Sequence, residues 1–274
     1  MPKTFNVLTW NVGAIHIGGL YHPVRYTKER MSHLPTLLQE SGADLIALQE
    51  LCLPRAGADI AVKMRHRYPY TAPLLKEKSR QRHGLRILSR YPVRACDAHL
   101  FRAQSFWERL FLPKGFIFCV VDVPEIGSVT VLNAHFVAGF TPDASDVIRI
   151  RAAQIEELGR FMHGIAGPLV LACDLNAAPD VAAPQNYHDV RRLGLRDAGS
   201  ACDEITWDPG NPLLSAGAHR DCPAQRCDFV FHNDAWRVRR VETRFRDPCV
   251  PTIGRPLVHA SDHRGVFAEL EWIE

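Results

Sequence analysis

The sequence predicts an α/β fold of the α+β kind, with mixed β-sheets and helices packed outside them, in one domain spanning residues 1–274. Three observations predict it. Short apolar runs of strand length recur along the whole chain, helical patterns are fewer, and some strands adjoin as hairpins, which breaks the strict βαβ alternation of a doubly wound sheet. No internal repeat, low-complexity tract or long linker marks a domain boundary. At 274 residues the chain has ample length for a sizeable core. Its 46% hydrophobic and 23% charged residues exclude a disordered chain, a collagen-like sequence and a coiled coil.

In chain order the strand-like runs are Phe5–Trp10, Asp44–Gln49, Leu85–Leu88, Phe116–Asp122, Ser128–Phe136, Leu169–Cys173, Cys227–His232 and Val266–Trp272. Several alternate or are rich in Val, Ile and Phe, as buried or half-buried strands are. Phe116–Asp122 and Ser128–Phe136 adjoin across the turn-rich Pro124-Glu125-Ile126-Gly127. A helix is expected from about Thr27 to Glu40, weakened by Pro35, which has no N–H to donate. The clearest helix follows Thr141-Pro142-Asp143. There Ile148, Ala152, Ile155, Leu158 and Met162 recur at helical spacing, with Asp143 and Ser145 as capping candidates and Gly164 beyond the end.

A formal net charge of +3 excludes a polyanion binder that relies on a bulk positive field, while leaving room for a local basic site. Eight cysteines are too few for a disulfide scaffold and form no C-x-x-C pair. Cys222 and Cys227 have four residues between them, but no second Cys or His pair follows at ligand spacing, so free thiols rather than a zinc site are expected. Residues 1–10 reach polar Asn11 after a strand-length apolar stretch, which does not read as a signal peptide. No apolar run approaches the ~18 residues of a membrane span. A cytoplasmic location is the expectation.

Nearly every apolar run ends in residues that a buried strand would not otherwise choose. Phe5–Trp10 runs into Asn11, Asp44–Gln49 into Glu50, and Leu169–Cys173 into Asp174-Leu175-Asn176. Ser128–Phe136 contains Asn133 and His135, Cys227–His232 contains Asp228, and Ser261-Asp262-His263 precedes the last strand. Any one of these reads as a turn residue. Six together point to a common rim where carboxylates, amides and imidazoles converge on one cleft. Glu50, Asp174, Asp262 and Asn11 offer hard oxygen donors suited to Mg²⁺ or Mn²⁺, and His135 and His263 can carry protons or donate to an anionic oxygen. Such a set fits hydrolysis at phosphorus, where a cation on the phosphoryl oxygens and an activated water are both needed. No G-x-S-x-G elbow and no G-x-x-x-x-G-K-[ST] loop supports the alternatives of serine hydrolysis or nucleotide triphosphate binding.

The ordered series Leu8-Thr9-Trp10-Asn11-Val12, Ile46-Ala47-Leu48-Gln49-Glu50, Leu85 to Pro92, Asn133-Ala134-His135-Phe136, Cys173-Asp174-Leu175-Asn176, Cys227-Asp228-Phe229-Val230-Phe231 and Ser261-Asp262-His263 resembles the endonuclease/exonuclease/phosphatase superfamily from about Phe5 to Glu271. The resemblance implies a four-layer α/β/β/α sandwich of two mixed β-sheets flanked by helices, with a metal cleft at one rim. It implies Glu50 as the principal Mg²⁺ ligand, Mn²⁺ being a substitute, with Asn11 and Asp262 in or beside the coordination shell. Asp174 would position or deprotonate the attacking water, and Asn176 would hold the phosphoryl group. His263, held by Asp228, would act either as base or as donor to a phosphate oxygen, and His135 would stabilise the transition-state charge or the leaving oxygen. One metal or two stays open.

The expected activity is a Mg²⁺-dependent phosphodiesterase with a sphingomyelin-like phospholipid or another small phosphodiester as preferred substrate, and the expected partner is a phosphate-ester substrate, phospholipid-like or nucleic acid. Abasic-site endonucleases carry a Tyr and Asn signature where this chain has Asn133-Ala134-His135, so the resemblance is to branches with His. Neutral sphingomyelinases look most similar, through Arg25 and Arg30, Lys114-Gly115-Phe116 and Arg151-Ala152-Ala153-Gln154. The absence of a secretion signal and of a C-terminal membrane segment weighs against a membrane lipid. The runner-up is a deoxyribonuclease-like nuclease, for which Arg80, Arg82, Arg86 and Arg90 offer a local basic track. A catalytically inactive phosphate-binding module on the same fold is the rival of another class, and the presence of Glu50, Asp174 and His263 argues against it. No stable protein partner is inferred. Phe101, Phe106, Trp107, Leu110, Phe111 and Leu112, with Arg102 and Arg109 among them, read first as core packing, and otherwise as an apolar lip for peripheral membrane contact or a platform for bases. Trp207 to Leu213 resembles a Thr-Trp-Asp-Pro loop that lines the cleft or forms a structural turn.

Overall fold

The computed structural model describes residues 3–16, 22–72, 83–139, 144–202, 204–214 and 222–273. The first half of the chain forms β1 (Thr4–Ala14), α1 (Thr27–Glu40), β2 (Leu45–Leu51), α2 (Pro54–Met64), β3 (Tyr70–Ala72), β4 (Arg86–Ser89), β5 (Val93–Leu100), α3 (Phe106–Phe111), β6 (Gly115–Val123) and β7 (Gly127–His135). The second half forms α4 (Ser145–Met162), β8 (Leu169–Asp174), α5 (Pro184–Arg192), β9 (Arg196–Asp197), β10 (Asp228–His232), β11 (Trp236–Arg244), β12 (Val250–Thr252), β13 (Arg255–Val258) and β14 (Gly265–Trp272).

Six strands make one sheet in the order β11-β14-β1-β2-β4-β3, six make a second in the order β5-β6-β7-β8-β10-β9, and β12 and β13 pair separately. Both large sheets are mixed, since β1 runs parallel to β2 and β7 parallel to β8 among antiparallel neighbours. The alternation of side chains along the strands explains the layers. Val7, Leu45 and Ala47 of the first sheet face Val131, Val170, Ala172 and Val230 of the second. On the opposite face of the first sheet, Leu8, Trp10, Ile46 and Leu48 pack with Leu34, Leu38, Ile60 and Met64 of α1 and α2. On the outer face of the second, Leu132, Leu171, Phe229 and Phe231 pack with Ile155, Leu158, Tyr187 and Val190 of α4 and α5. The result is the α/β/β/α sandwich.

Each of the eight strand-like runs coincides with a strand, with boundaries moved by a few residues: Asp44, Leu85, Phe136 and Cys227 fall just outside β2, β4, β7 and β10. Pro35 does not break α1. Met31, Leu34, Pro35, Leu37 and Leu38 are all buried, so packing on the sheet outweighs the loss of one intrahelical hydrogen bond. The helix after residue 143 begins at Ser145, and its N-cap is Ala144 without a side-chain cap. Asp143 lies outside the described residues. Among the elements that apolar periodicity did not reveal are β5, α5 and β11. They lie at sheet edges or on the surface, where Arg, Asp and His replace the apolar alternation: β11 is joined to its neighbour β14 by the Arg239–Glu271 ion pair and carries an Arg240–Glu242 pair along its own length.

One buried polar clasp joins the two sheets at the end that carries the strand-terminal polar residues. Asn133 Nδ2 on β7 donates across the sandwich to the carbonyls of Leu48 and Arg86, both at 2.9 Å. Gln49 Nε2 on β2 donates back to Asn133 Oδ1 at 2.8 Å and to Thr9 Oγ1 at 3.0 Å. Asn133→Ala strands Gln49 Nε2 and two carbonyls in a water-free layer, and stability measured by urea denaturation is expected to fall by about 2–4 kcal/mol. A loss under about 0.5 kcal/mol shows that the clasp is dispensable.

Candidate active site

Register brings the chemistry to one end of the sandwich. His135 on β7 pairs with Asp174 on β8, and Asp174 pairs with Asp228 on β10, so an imidazole and two carboxylates lie in one row across three strands. In the facing sheet Asn11 on β1 pairs with Gln49 on β2, and Glu50 follows it. Glu50 is left-handed, with φ 56, a costly conformation for a non-glycine residue and one that recurs at functional sites. Glu50, Asp174, Asn176, Asp262 and His263 line one cleft of about 120 Å³.

Asp174 is the hub of the cleft. Its Oδ2 accepts from Asn11 Nδ2 at 2.9 Å and lies 3.4 Å from His135 Nε2, and its Oδ1 accepts from the Asn176 backbone N–H at 3.0 Å. Burial and the Asp228 charge push its carboxyl up to about 7. Asn176, also left-handed at φ 53, donates from Nδ2 to the Phe136 carbonyl at 3.0 Å. Asn11 Oδ1 is taken by the Gly13 N–H at 3.0 Å, so Asn11 both orients Asp174 and closes a local turn. Gly13 itself admits no side chain: a Cβ there would stand 2.4 Å from Asp262 Oδ1.

His263 and Asp228 form a dyad, with Nδ1 2.9 Å from Oδ2. Burial alone would depress this imidazole, but the charge and hydrogen bond of Asp228 override it and hold the ring well above its ordinary value. The dyad is braced from three sides. Thr206 Oγ1 accepts from the N–H groups of Cys227 and Asp228 at 3.0 and 3.1 Å, Trp10 Nε1 donates to the His263 carbonyl at 3.1 Å, and Ser261 Oγ accepts from the His263 N–H at 3.2 Å. Trp207 lines the cleft, while Asp208 and Asn211 turn the same loop through hydrogen bonds to Gly210 and Leu213.

His135 is buried, and burial together with the Lys114 and His263 charges drives its pKa well below the ordinary value. The neutral ring therefore accepts from Lys114, whose Nζ stands 2.7 Å from Nε2. Lys114 entered the sequence reading only as part of a motif; its pairing with His135 follows from the β6–β7 hairpin, which sets Gly115 opposite His135. Glu50 Oε1 lies 3.8 Å from the same Nε2. Burial holds the Glu50 carboxyl above its ordinary value against the pull of Lys114, and the Asp262 charge adds to the rise. Two crowded carboxylates with an amide oxygen beside them are a donor set that fits a hard divalent cation.

Three motif arginines are structural. Arg30 is buried inside α1 and donates to the carbonyls of Val12, Gly13, Arg25 and Ala260, stitching β1 to the segment before Asp262. Arg151 donates to the Val137 carbonyl and to Asn186 Oδ1, and Gln154 accepts from the Val137 N–H, which fixes the chain just after His135. Arg86 is buried and Arg90 is bound to Asp44 at 2.9 Å, while Arg80 and Arg82 lie outside the described residues, so the described residues form no arginine track. The aromatic segment divides. Phe101 belongs to the core, whereas Phe106, Trp107, Leu110 and Phe111 on α3 are 73%, 64%, 50% and 44% exposed, which corrects the expectation of core packing. Among the described residues no helix is long and apolar enough to cross a membrane.

No curated protein sequence is a significant match to the chain. Among solved structures, sphingomyelinase C from Streptomyces griseocarneus is 21% identical, with a TM-score of 0.72, over 97% of this chain and 99% of that one. A Staphylococcus aureus beta toxin mutant with bound magnesium ions is 17% identical, with a TM-score of 0.73, over 96% and 98%. D. rerio TDP2, in a humanized form, is 14% identical, with a TM-score of 0.70, over 98% and 99%. These likenesses establish the fold. The profile of the Endonuclease/Exonuclease/phosphatase family matches residues 8–263, which takes in every element of the cleft, and the chain belongs to that family of phosphoric ester hydrolases.

Proposed function

We propose that the protein is a divalent-metal-dependent phosphodiesterase acting on a phospholipid-like phosphodiester. The observation that carries the chemistry is the convergence of Glu50, Asp174, His135 and the Asp228–His263 dyad on one cleft. Glu50 and Asp262, with Asn11 beside them, would hold Mg²⁺ or Mn²⁺, which supplies charge neutralisation on the phosphoryl oxygens when bound. Asp174, poised near neutrality and oriented by Asn11 and the Asn176 N–H, takes the proton of the attacking water. His263, kept cationic by Asp228, donates to an oxygen of the ester. His135 is turned toward Asp174 and Glu50 by Lys114, so Lys114 acts through it as a positioning residue and places a positive charge behind the reacting phosphorus.

The substrate class rests on α3. Trp107 stacks on Phe111 at 5.9 Å and meets Phe106 edge-on at 5.4 Å, forming an exposed aromatic ledge. Glu108, on the same helix, accepts from the N–H of Ala138, a residue that lines the cleft. An apolar surface joined in this way to a phosphoester site suits a substrate whose ester sits at a lipid–water boundary. The likeness of fold to sphingomyelinase C from Streptomyces griseocarneus supports the same class. For the nuclease alternative, Arg86 is buried and Arg90 is paired with Asp44, while Arg80 and Arg82 lie outside the described residues.

Purified protein with Mg²⁺ is expected to hydrolyse sphingomyelin or a chromogenic phosphodiester, and to stop on addition of chelator. Glu50→Gln should lose at least ~10²-fold in turnover and need more Mg²⁺. Chelator-insensitive turnover, or none on lipid, plasmid DNA, inositol phosphate and chromogenic substrates alike, defeats the reading. Asp174→Ala and His263→Ala should each lower kcat at least ~10²-fold, and full activity in both removes them from the reaction. Trp107→Ser with Phe111→Ser should lower turnover on vesicles about tenfold or more, while a soluble chromogenic diester is hydrolysed as before. Equal rates on vesicles would show that α3 does not engage lipid.

A further inference from the structure

Cys227 has no part in the reaction described above, yet its thiol faces the dyad. Its Sγ lies 3.5 Å from Asp228 Oδ2 and 4.0 Å from His263 Nδ1, which are themselves 2.9 Å apart. A sulfur, an imidazole nitrogen and a carboxylate oxygen thus form a closed triangle of buried donors, all within 4.8 Å of one another. A tetrahedral ion with bonds of about 2.0–2.3 Å to such donors sets them about 3.3–3.6 Å apart, so shifts of about half an ångström suffice to close this triangle on one ion. The sequence conceals the site because its donors are Cys227, the next residue, and His263 thirty-five positions after that.

Two further observations point to a ligand. Asp228 Oδ1 is buried with no hydrogen-bond partner among the described residues, so the carboxylate retains an oxygen to offer once Oδ2 is engaged. Cys227 and His263 also line the same cleft as Glu50 and Asp174, so the site is reached from the cleft, and its three donors supply three of the four corners of a tetrahedral ion. Three protein donors with one open corner make an exchangeable site rather than a closed structural one. Thiolate with imidazole favours a thiophilic ion such as Zn²⁺, whereas the oxygen set around Glu50 favours Mg²⁺.

We propose that Cys227, His263 and Asp228 form an inhibitory site for a thiophilic divalent cation of the Zn²⁺ class. The cation takes the place of the proton shared between His263 Nδ1 and Asp228 Oδ2, and the thiol proton and the Nδ1 proton leave to solvent as it binds. His263 is then a ligand and no longer a proton donor, so hydrolysis stops. The inhibition rests on the phosphodiesterase reading; the metal site does not.

The test uses the full chain with saturating Mg²⁺. Co²⁺ added to the wild type is expected to give a thiolate-to-cobalt charge-transfer band in the near ultraviolet, lost in Cys227→Ser and Cys227→Ala and kept in Cys222→Ser. In the hydrolysis assay Zn²⁺ is expected to inhibit the wild type without relief by added Mg²⁺, and Cys227→Ser, active without Zn²⁺, should need at least ~10-fold more Zn²⁺ for the same inhibition. A missing thiolate band in the wild type, or a band that survives in both Cys227 variants, overturns the site. Zn²⁺ inhibition that Mg²⁺ relieves and that Cys227→Ser leaves unchanged overturns the inhibitory role and places Zn²⁺ at the oxygen set. A thiolate band in a protein with no esterase activity on any substrate keeps the site and rejects the phosphodiesterase reading instead.

Discussion

The hydrogen-bonded clasp between Gln49 and Asn133 is the constraint on which the rest of the molecule depends. The two sheets meet through Val, Leu, Ile and Ala side chains, and such faces hold together almost equally well in several relative positions. Buried amides are less tolerant, because each unpaired donor in a dry layer costs about 1–3 kcal/mol. Asn133 donates to carbonyls of two strands of the opposite sheet, and Gln49 returns a donor to it, so one relative position satisfies all of them. Glu50 follows Gln49 and His135 lies two residues beyond Asn133. Fixing the amides therefore fixes the 3.8 Å approach of Glu50 to His135, and with it the meeting of the two halves of the cleft.

The acids and imidazoles of the cleft are held in states that water would not give them. Asp174 rises and His135 falls because burial is joined by neighbouring charges, whereas His263 rises because Asp228 overrides its burial. Groups with pKa values driven apart in one cleft can exchange protons in a fixed direction, which is the basis of the roles proposed for Asp174 and His263. A net charge of only +3 averages over unlike regions of the chain. Glu50, Asp174, Asp228 and Asp262 concentrate negative charge where a cation belongs, and the average hides both that concentration and the more basic remainder.

Much of the site was legible because strand register is legible. A polar residue at the end of an apolar run is trivial singly, but His135, Asp174 and Asp228 had to share a rim once their strands were neighbours in one sheet. The depth of the arginines was not legible. Arg30 and Arg151 enter the sequence reading only as motif residues, yet each guanidinium is held mainly by buried backbone carbonyls, of Val12 and Gly13 for Arg30 and of Val137 for Arg151. Lys114 illustrates the converse. Nothing local distinguishes it from a surface lysine; the β6–β7 hairpin brings it to His135. Exposure of α3 was likewise unreadable, because six residues rich in Phe, Trp and Leu have the same composition in a core as on a ledge.

Glu108 connects that ledge to the chemistry. Its Oε1 accepts from the Ala138 N–H at 3.0 Å and stands 3.9 Å from Lys114 Nζ, while its Oε2 accepts from Ser105 Oγ at 3.0 Å as part of a capping box on α3. The same carboxylate thus closes the first turn of the aromatic helix, anchors the loop after His135 and faces the cation that orients His135. A helix this short has little stability of its own, and it leans on these contacts to hold its exposed aromatic face in place. The dependence is mutual: whatever holds α3 also holds Ala138 and the environment of Lys114. The exposed aromatic face and the surroundings of His135 are therefore built on shared supports in this protein, so a change at Glu108 disturbs both.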